Sequence, residues 1–242
     1  MRLDIALVQR NLCESRQEAK ECIESGHVLV DDSVTYKATR RVEASTRIQV
    51  LQRRKYVSRG GEKLEGALRH LLGDESAIRN FLYNKTALDV GSSTGGFSDC
   101  LLTHGISAIT AVDVGTLQLH KKIRSHANVT VFENTDIRML DTKNRFDVVV
   151  ADLSFISLDK VIDTILLYGN DTASYLLLIK PQFEVGFGNT KKGIVKDTVA
   201  VNEVLVKYTA ILLEKNIHSV VFFPCSLLGG DGNQEYFIYG KK

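Results

Sequence analysis

Ala87-Leu88-Asp89-Val90-Gly91-Ser92-Ser93-Thr94-Gly95-Gly96-Phe97 joins a short apolar run to a glycine-rich turn, and a helical pattern begins near Phe97. A strand that feeds a glycine turn and a helix offers backbone N–H groups at the helix start, where a ligand can approach the chain closely. Neither common phosphate reader fits. The third position of a G-x-G-x-x-G fingerprint is Ser93, and no Lys-Ser/Thr pair follows as in a nucleoside triphosphate loop. Asp89, just before the glycines, would repel a phosphate yet attract the amino or sulfonium group of S-adenosylmethionine. Asp113 ends the next strand and is placed to accept from ribose hydroxyls. Asp136, past the third strand, can meet an adenine amino group, with helix capping as its competing reading. These three carboxylates, with Gly91, Ser92, Ser93, Thr94, Gly95, Gly96 and Phe97, are the candidate cofactor residues, and S-adenosylmethionine is the cofactor they point to.

Outward from this turn the chain alternates strand and helix. Strands are expected near 86–90, 107–113, 129–133, 147–151, 175–180, 217–223 and 235–239. Val148-Val149-Val150 and Leu176-Leu177-Leu178-Ile179 are apolar without alternation, as strands covered on both faces should be. The fold class is α/β: a Rossmann-like, mostly parallel seven-stranded sheet with helices on both faces.

In such a sheet the active site lies at the carboxyl ends of the strands. Asp152 follows one strand, Lys180 follows another, and Glu235 begins the last; Lys63, on the helix that leads into the domain, can reach the same mouth. Asp152-Leu153-Ser154-Phe155 lacks the prolines of the turn used to methylate exocyclic amines, and the one Pro-Cys pair, Pro224-Cys225, ends the sixth strand rather than offering a nucleophile after the fourth or fifth. Cys225 is read as core. A hydroxyl acceptor served by lysines and carboxylates is what is left. For a ribose 2′-OH, deprotonation is the hard step, and Lys180 is the candidate base; to be neutral near pH 7 it must give up about 4 kcal/mol relative to an ordinary lysine. Lys63 as a second cation would help, while Asp152 and Glu235 would orient the two amines; in the competing division of labour the lysines chiefly stabilise the oxyanion.

The first 63 residues carry a net charge of +4 and the rest −2, so positive charge gathers at the front. Leu3 to Asn11 and Ser15 to Gly26 read as short helices, the second opened by a Ser15…Glu18 capping box and closed by Gly26; Val28–Val30 reads as a strand, Asp31-Asp32 as a turn, and Ile48–Val50 as a later strand after a basic turn. This small α+β unit is expected over residues 1–51, a basic linker over 52–61 and the catalytic domain over 62–242. Arg2, Arg16, Lys20, Arg40, Arg41, Arg53, Arg54 and Arg59 are the candidate RNA contacts, although a basic run can also be a solvated face.

With these residues in hand, the chain resembles the TlyA family, the haemolysin-A-like rRNA 2′-O-methyltransferases. Arg2-Leu3-Asp4, Ser15-Arg16 with Ala19, and Gly26-His27-Val28 look like an RNA-binding domain of the S-four type. Val57-Ser58-Arg59-Gly60 with Lys63-Leu64, Asp152-Leu153-Ser154-Phe155-Ile156, Lys180-Pro181-Gln182-Phe183-Glu184 and Gly232-Asn233-Gln234-Glu235 continue the match. The resemblance implies an FtsJ-like class I methyltransferase fold and a catalytic tetrad falling on Lys63, Asp152, Lys180 and Glu235. It implies methylation of a cytidine ribose in ribosomal RNA or a ribosomal subunit. Because the chain starts at Arg2-Leu3-Asp4 and stops soon after Phe237, the shorter class acting on 23S rRNA is favoured over the class that also modifies 16S rRNA. One departure is visible: Asp32 stands at a turn position where the RNA-binding domain usually has glycine, and aspartate tolerates that geometry.

Cys13, Cys22, Cys100 and Cys225 are far apart in sequence, with no C-x-x-C pair, and are read as reduced core residues with no metal site. No stretch approaches the roughly 18 apolar residues a membrane helix needs, so a cytoplasmic protein with no membrane contact and no obligate protein partner is expected. The competing functions are a membrane-active haemolysin and a non-catalytic RNA-binding protein.

Overall fold

Successive residues of one buried strand point to opposite faces, and here each face has its own core. Leu88, Val149, Leu177 and Ile179 pack into one buried cluster, while Ala87, Val148, Val150, Leu176 and Leu178 pack into the other. A computed structural model describes residues 1–52, 54–185, 190–191 and 193–242. They form two compact units, Met1–Lys55 and Tyr56–Lys242.

In the first unit, helices α1 (Leu3–Gln9) and α2 (Arg16–Glu24) precede strands β1 (Val28–Val30), β2 (Ser33–Val34) and β3 (Ile48–Val50), paired antiparallel in the order β2-β1-β3. The Glu18 N–H donates to Ser15 Oγ at 3.1 Å, as the capping box requires, but the Glu18 carboxylate accepts from the Glu14 N–H at 2.6 Å rather than from Ser15. Asp31 and Asp32 both take left-handed backbone (φ +50° and +61°), the mirror-image hairpin turn that suits a two-residue loop. Aspartate therefore does adopt the glycine-like turn.

The second unit opens with α3 (Arg59–Leu72) and α4 (Glu75–Leu82) and continues with β4 (Thr86–Val90), α5 (Gly96–Thr103), β5 (Ala108–Val112), α6 (Lys121–Arg124), β6 (Val129–Phe132) and β7 (Phe146–Ala151). Then come α7 (Ile162–Leu167), β8 (Gly169–Ile179), α8 (Pro181–Glu184), the small pair β9 (Thr190–Lys191) and β10 (Ile194–Val195), α9 (Thr198–Glu214), β11 (His218–Pro224) and β12 (Tyr236–Lys241). The large sheet has seven strands in the order β11-β12-β8-β7-β4-β5-β6, and only β12 runs against the others. α3 and α5 cover one face with Leu64, Leu68 and Leu101, and α7 and α9 cover the other with Ile165 and Leu212.

The end of the expected linker differs. Arg59, Gly60 and Gly61 already belong to α3, and a Cβ on Gly61 would collide with the buried Tyr56 ring. A Cβ on Gly96 would in turn strike Ser58 and the backbone of Gly60 and Gly61. The Gly-Gly pair thus permits close approach of the α3 and α5 starts; it is not a hinge.

Candidate active site

The reversed strand β12 brings the site together. Tyr236 at its start pairs with Ile179 at the end of β8, so Glu235 reaches the rim where the parallel strands end. On β8's other side Ala151 pairs with Leu177, and Val90 of β4 pairs with Ala151, which sets Asp152 between the β8 rim and the glycine turn. Lys180 Nζ meets Asp152 Oδ1 at 2.6 Å and donates to Ser154 Oγ at 2.7 Å. From α3, Lys63 Nζ donates to Glu235 Oε2 at 2.5 Å, and both residues are buried. The four expected catalytic side chains therefore form two lysine–carboxylate pairs, three of the residues at adjoining strand ends and Lys63 on α3.

Asp152 also borders a cavity of about 410 Å³ beside the glycine turn. Its walls include Gly91, Ser93, Asp113, Gln118, Asp136 and Phe155. Gly91 has φ +77°, and a Cβ there would sit 2.6 Å from the Asp152 carbonyl oxygen, so only glycine lets β4 turn this close to the Asp152 loop. Asp113 takes the Ser93 N–H on one oxygen and the Gly115 N–H on the other, both at 2.7 Å, which fixes the carboxylate at the cavity wall. Asp136 caps the short turn after it and pairs with Arg138, whose guanidinium holds the carboxyl down at about 2. Its capping role is thus real, whatever else it contacts.

Six of the expected cofactor residues do not line this cavity: Asp89, Ser92, Thr94, Gly95, Gly96 and Phe97. Strand parity explains Asp89, and the packing of α5 explains Phe97 and Gly96. Asp89 shares the face of Ala87, away from the cavity, and lies wholly buried under α5, where Ser98 Oγ donates to it at 2.6 Å. Burial pushes its carboxyl up to about 7, and the expectation that it stands at the mouth of the site is corrected. Phe97 stacks on Phe237 in the core of that same face, and Gly96 serves the α3 contact. Cys225 is buried in that core as expected, and burial raises its thiol.

Sequence reading missed Gln118, Ser154 and Phe155 in the cavity wall. Phe155 carried a signal in hindsight: an aromatic side chain directly beyond a strand end, here 91% exposed with left-handed backbone and its ring 5.4 Å from that of Phe183. It missed Glu133 as well. Its carboxylate accepts from the N–H groups of Leu117, Gln118 and Leu119 and pairs with Arg124, which fastens the loop that carries Gln118. A larger hollow of about 610 Å³ opens at the opposite, amino-terminal edge of the sheet, but its Lys215 and Lys242 pair with Asp163 and Asp171.

In the first unit the basic residues divide. Arg2, Arg16, Lys20 and Lys37 border one groove together with Tyr36, which is exposed. Arg2 and Arg16 share the buried Asp4, whose burial tends to raise its carboxyl but is outweighed by the two guanidiniums. Arg40 and Arg41 are not among the lining residues, Arg47 pairs with Asp32, and Arg54 pairs with Glu21. Arg53 lies outside the described residues. In the second unit Arg59 donates to the Leu228 carbonyl at 2.5 Å. Tyr36 and Lys37 are additions to the expected set. The four cysteines are free and buried, as expected; Cys13 and Cys22, distant in sequence, meet with Glu18, their ligand atoms within 4.8 Å of one another.

An FtsJ-like methyltransferase family matches residues 56–242, and the S4 domain family matches residues 1–48. The chain belongs to the FtsJ-like methyltransferases. It is an enzyme of that family with an S4 domain ahead of the catalytic fold. It is 37% identical to the 16S/23S rRNA (cytidine-2'-O)-methyltransferase TlyA of Mycobacterium tuberculosis, over 98% of this chain and 88% of that one. It is 35% identical to the 23S rRNA (cytidine-2'-O)-methyltransferase TlyA of Campylobacter jejuni, over 99% and 98%. A solved Streptococcus thermophilus structure that carries a hemolysin name superposes with a TM-score of 0.75 at 30% identity, covering 100% of this chain and 88% of its own. Among the described residues no helix is long and apolar enough to cross a membrane.

Proposed function

We propose that this FtsJ-like enzyme methylates the ribose 2′-OH of a cytidine in ribosomal RNA with S-adenosylmethionine as donor, in 23S rRNA first and 16S rRNA second. The observation that carries the reading is the convergence of Lys180–Asp152 and Lys63–Glu235 at one rim, with Asp152 shared between the lysine pair and a nucleoside-sized cavity. Fit to the cofactor rests on that cavity's chemistry. Asp113 and Asp136 offer acceptors for ribose hydroxyls and an adenine amine, Gln118 adds an amide, and Val90, Ile137 and Val161 supply apolar wall. The sulfonium, when bound, supplies an activated methyl group, so the chain's own work is to handle the hydroxyl proton. In the proposed division of labour Asp152 and Ser154 fix the direction of Lys180 Nζ, which in neutral form takes the 2′-OH proton. Lys63, held by Glu235, turns its charge toward the oxygen as negative charge grows there.

The first unit, proposed over residues 1–51 with the catalytic domain from 62, would grip rRNA phosphates through Arg2, Arg16, Lys20 and Lys37 and stack a base on Tyr36. The cytoplasm, where ribosomal RNA is met, is the proposed location. Tritiated methyl transfer to rRNA lacking the modification, followed by alkaline hydrolysis, tests the reading, since a methylated 2′-oxygen blocks cleavage at that linkage. Label should stay in alkali-resistant dinucleotides and vanish for Lys180→Ala. Label in free mononucleotides would refute ribose methylation. Dye release from liposomes that persists in Lys180→Ala would favour a membrane-active protein.

A further inference from the structure

The loop after β7 and the helix after β8 are tied twice. One tie is the Lys180–Asp152 pair. The second lies further along both segments, four residues beyond Lys180, at Glu184. Glu184 Oε1 accepts from the Leu158 N–H at 2.9 Å, and Oε2 accepts from Ser157 Oγ at 2.7 Å and from the Tyr208 hydroxyl at 2.5 Å. Tyr208, fully buried on α9, in turn accepts from the Asp159 N–H at 3.0 Å. The segment between these ties, Leu153 to Ile156, walls the cofactor cavity and contains the left-handed Phe155. At its other end the Asp152 N–H is bound to the Val90 carbonyl at 3.0 Å. A loop with an unfavourable backbone conformation holds its shape only when both ends are fixed, and Glu184 with Tyr208 supplies the distal fixing.

We infer that Glu184 is a positioning residue for the reaction: it clamps the Ser157–Asp159 end of the Asp152 loop to the helix that directly follows Lys180, which sets the lysine–aspartate geometry. The inference rests on the proposed function for its effect on rate. Its chemistry is that of hydrogen-bond acceptance, not of charge, because Ser157, Tyr208 and a backbone N–H are all neutral donors and both hydroxyls can reverse toward an amide. Glutamine should therefore replace it and alanine should not.

The test compares the full chain with Glu184→Ala, Glu184→Gln and Tyr208→Phe in single-turnover transfer to rRNA at saturating S-adenosylmethionine, with hydrogen exchange over residues 152–160 read in parallel. Glu184→Ala should slow transfer about 10- to 100-fold, the range expected for a displacement near 1 Å. Glu184→Gln should stay within about threefold of wild type and Tyr208→Phe should fall between, on the same argument. Exchange in 152–160 should quicken in the alanine variant alone among the Glu184 pair. Transfer by Glu184→Ala at the wild-type rate, or an equal loss in Glu184→Gln, overturns the clamp. If the alanine variant does not fold, Tyr208→Phe decides by the same two readouts. Wild-type protein that leaves ribose unmethylated would defeat the proposed function instead, and the exchange comparison would still decide the clamp.

Discussion

Replacing Glu235 by alanine should damage stability as well as chemistry, and the two effects can be separated. Lys63 Nζ lies 2.5 Å from Glu235 Oε2, with the two side chains 9% and 3% exposed. Removing the carboxylate strands an ammonium group away from water, a change that costs about 3–5 kcal/mol where a buried pair is broken from one side. For a unit the size of Tyr56–Lys242 each kcal/mol moves the melting point by about 2–4 °C. Glu235→Ala should therefore lower the transition of the second unit by about 6–20 °C. The double variant Lys63→Met/Glu235→Leu removes both charges and keeps side-chain volume, so most of that loss should return, because apolar replacements of a buried pair are often neutral. Methyl transfer should remain lost in the double variant. Calorimetry of the full chain, with transfer assayed on the same samples, reads both. A Glu235→Ala protein that melts within 2 °C of wild type, taken as about the smallest shift 1 kcal/mol would give, refutes the buried pair. Recovery of transfer together with stability in the double variant refutes its chemical role.

Asp89 sets a pH dependence. Its carboxyl is raised by burial to about 7, so between the ordinary aspartate value and pH 7 the folded chain holds a proton that the unfolded chain has released. Stability from this group is full below the unfolded value and declines as pH rises through about 7, by up to about 4 kcal/mol; Asp89→Asn should flatten that decline in urea titrations at pH 5 and 8, and parallel curves would contradict it. Glu133→Ala frees the Leu117–Leu119 N–H groups and Arg124, and titration calorimetry should show weaker S-adenosylmethionine binding by about tenfold, as expected for an interaction worth about 1.4 kcal/mol, with rRNA affinity unchanged. Lys37→Ala should reduce the slope of log affinity against log salt by about 0.7–0.9, whereas Arg47→Ala, whose guanidinium is already on Asp32, and Lys20→Ala, whose amine lies 3.7 Å from Glu24, should each change it less.

Much of the fold was legible because buried strands announce themselves as unbroken apolar runs and each run ended where a rim residue began: Asp152 after Ala151, Lys180 after Ile179. Glu235 was legible only as the start of a strand; that it reaches the same rim depends on β12 running backward, which no local pattern encodes. What misled was orientation. Asp89 sits one residue from Val90 in sequence but on the other face of β4, so it lies beneath α5 while Val90 walls the cavity. Gly60 and Gly61 resembled a linker because their purpose, the approach of α3 to α5, involves Gly96 far along the chain. The expected basic set divides for the same reason: Arg54 and Arg59 each find a partner distant in sequence, while Arg2, Arg16 and Lys20 border one groove.

The most direct test is mass-spectrometric mapping of ribosomal RNA after incubation with purified protein and S-adenosylmethionine, alongside Lys180→Ala. The account predicts one or two new 2′-O-methylcytidines for the wild type and none for the variant. Methylation on a base, methylation of no RNA at all, or an identical product map from Lys180→Ala would contradict it.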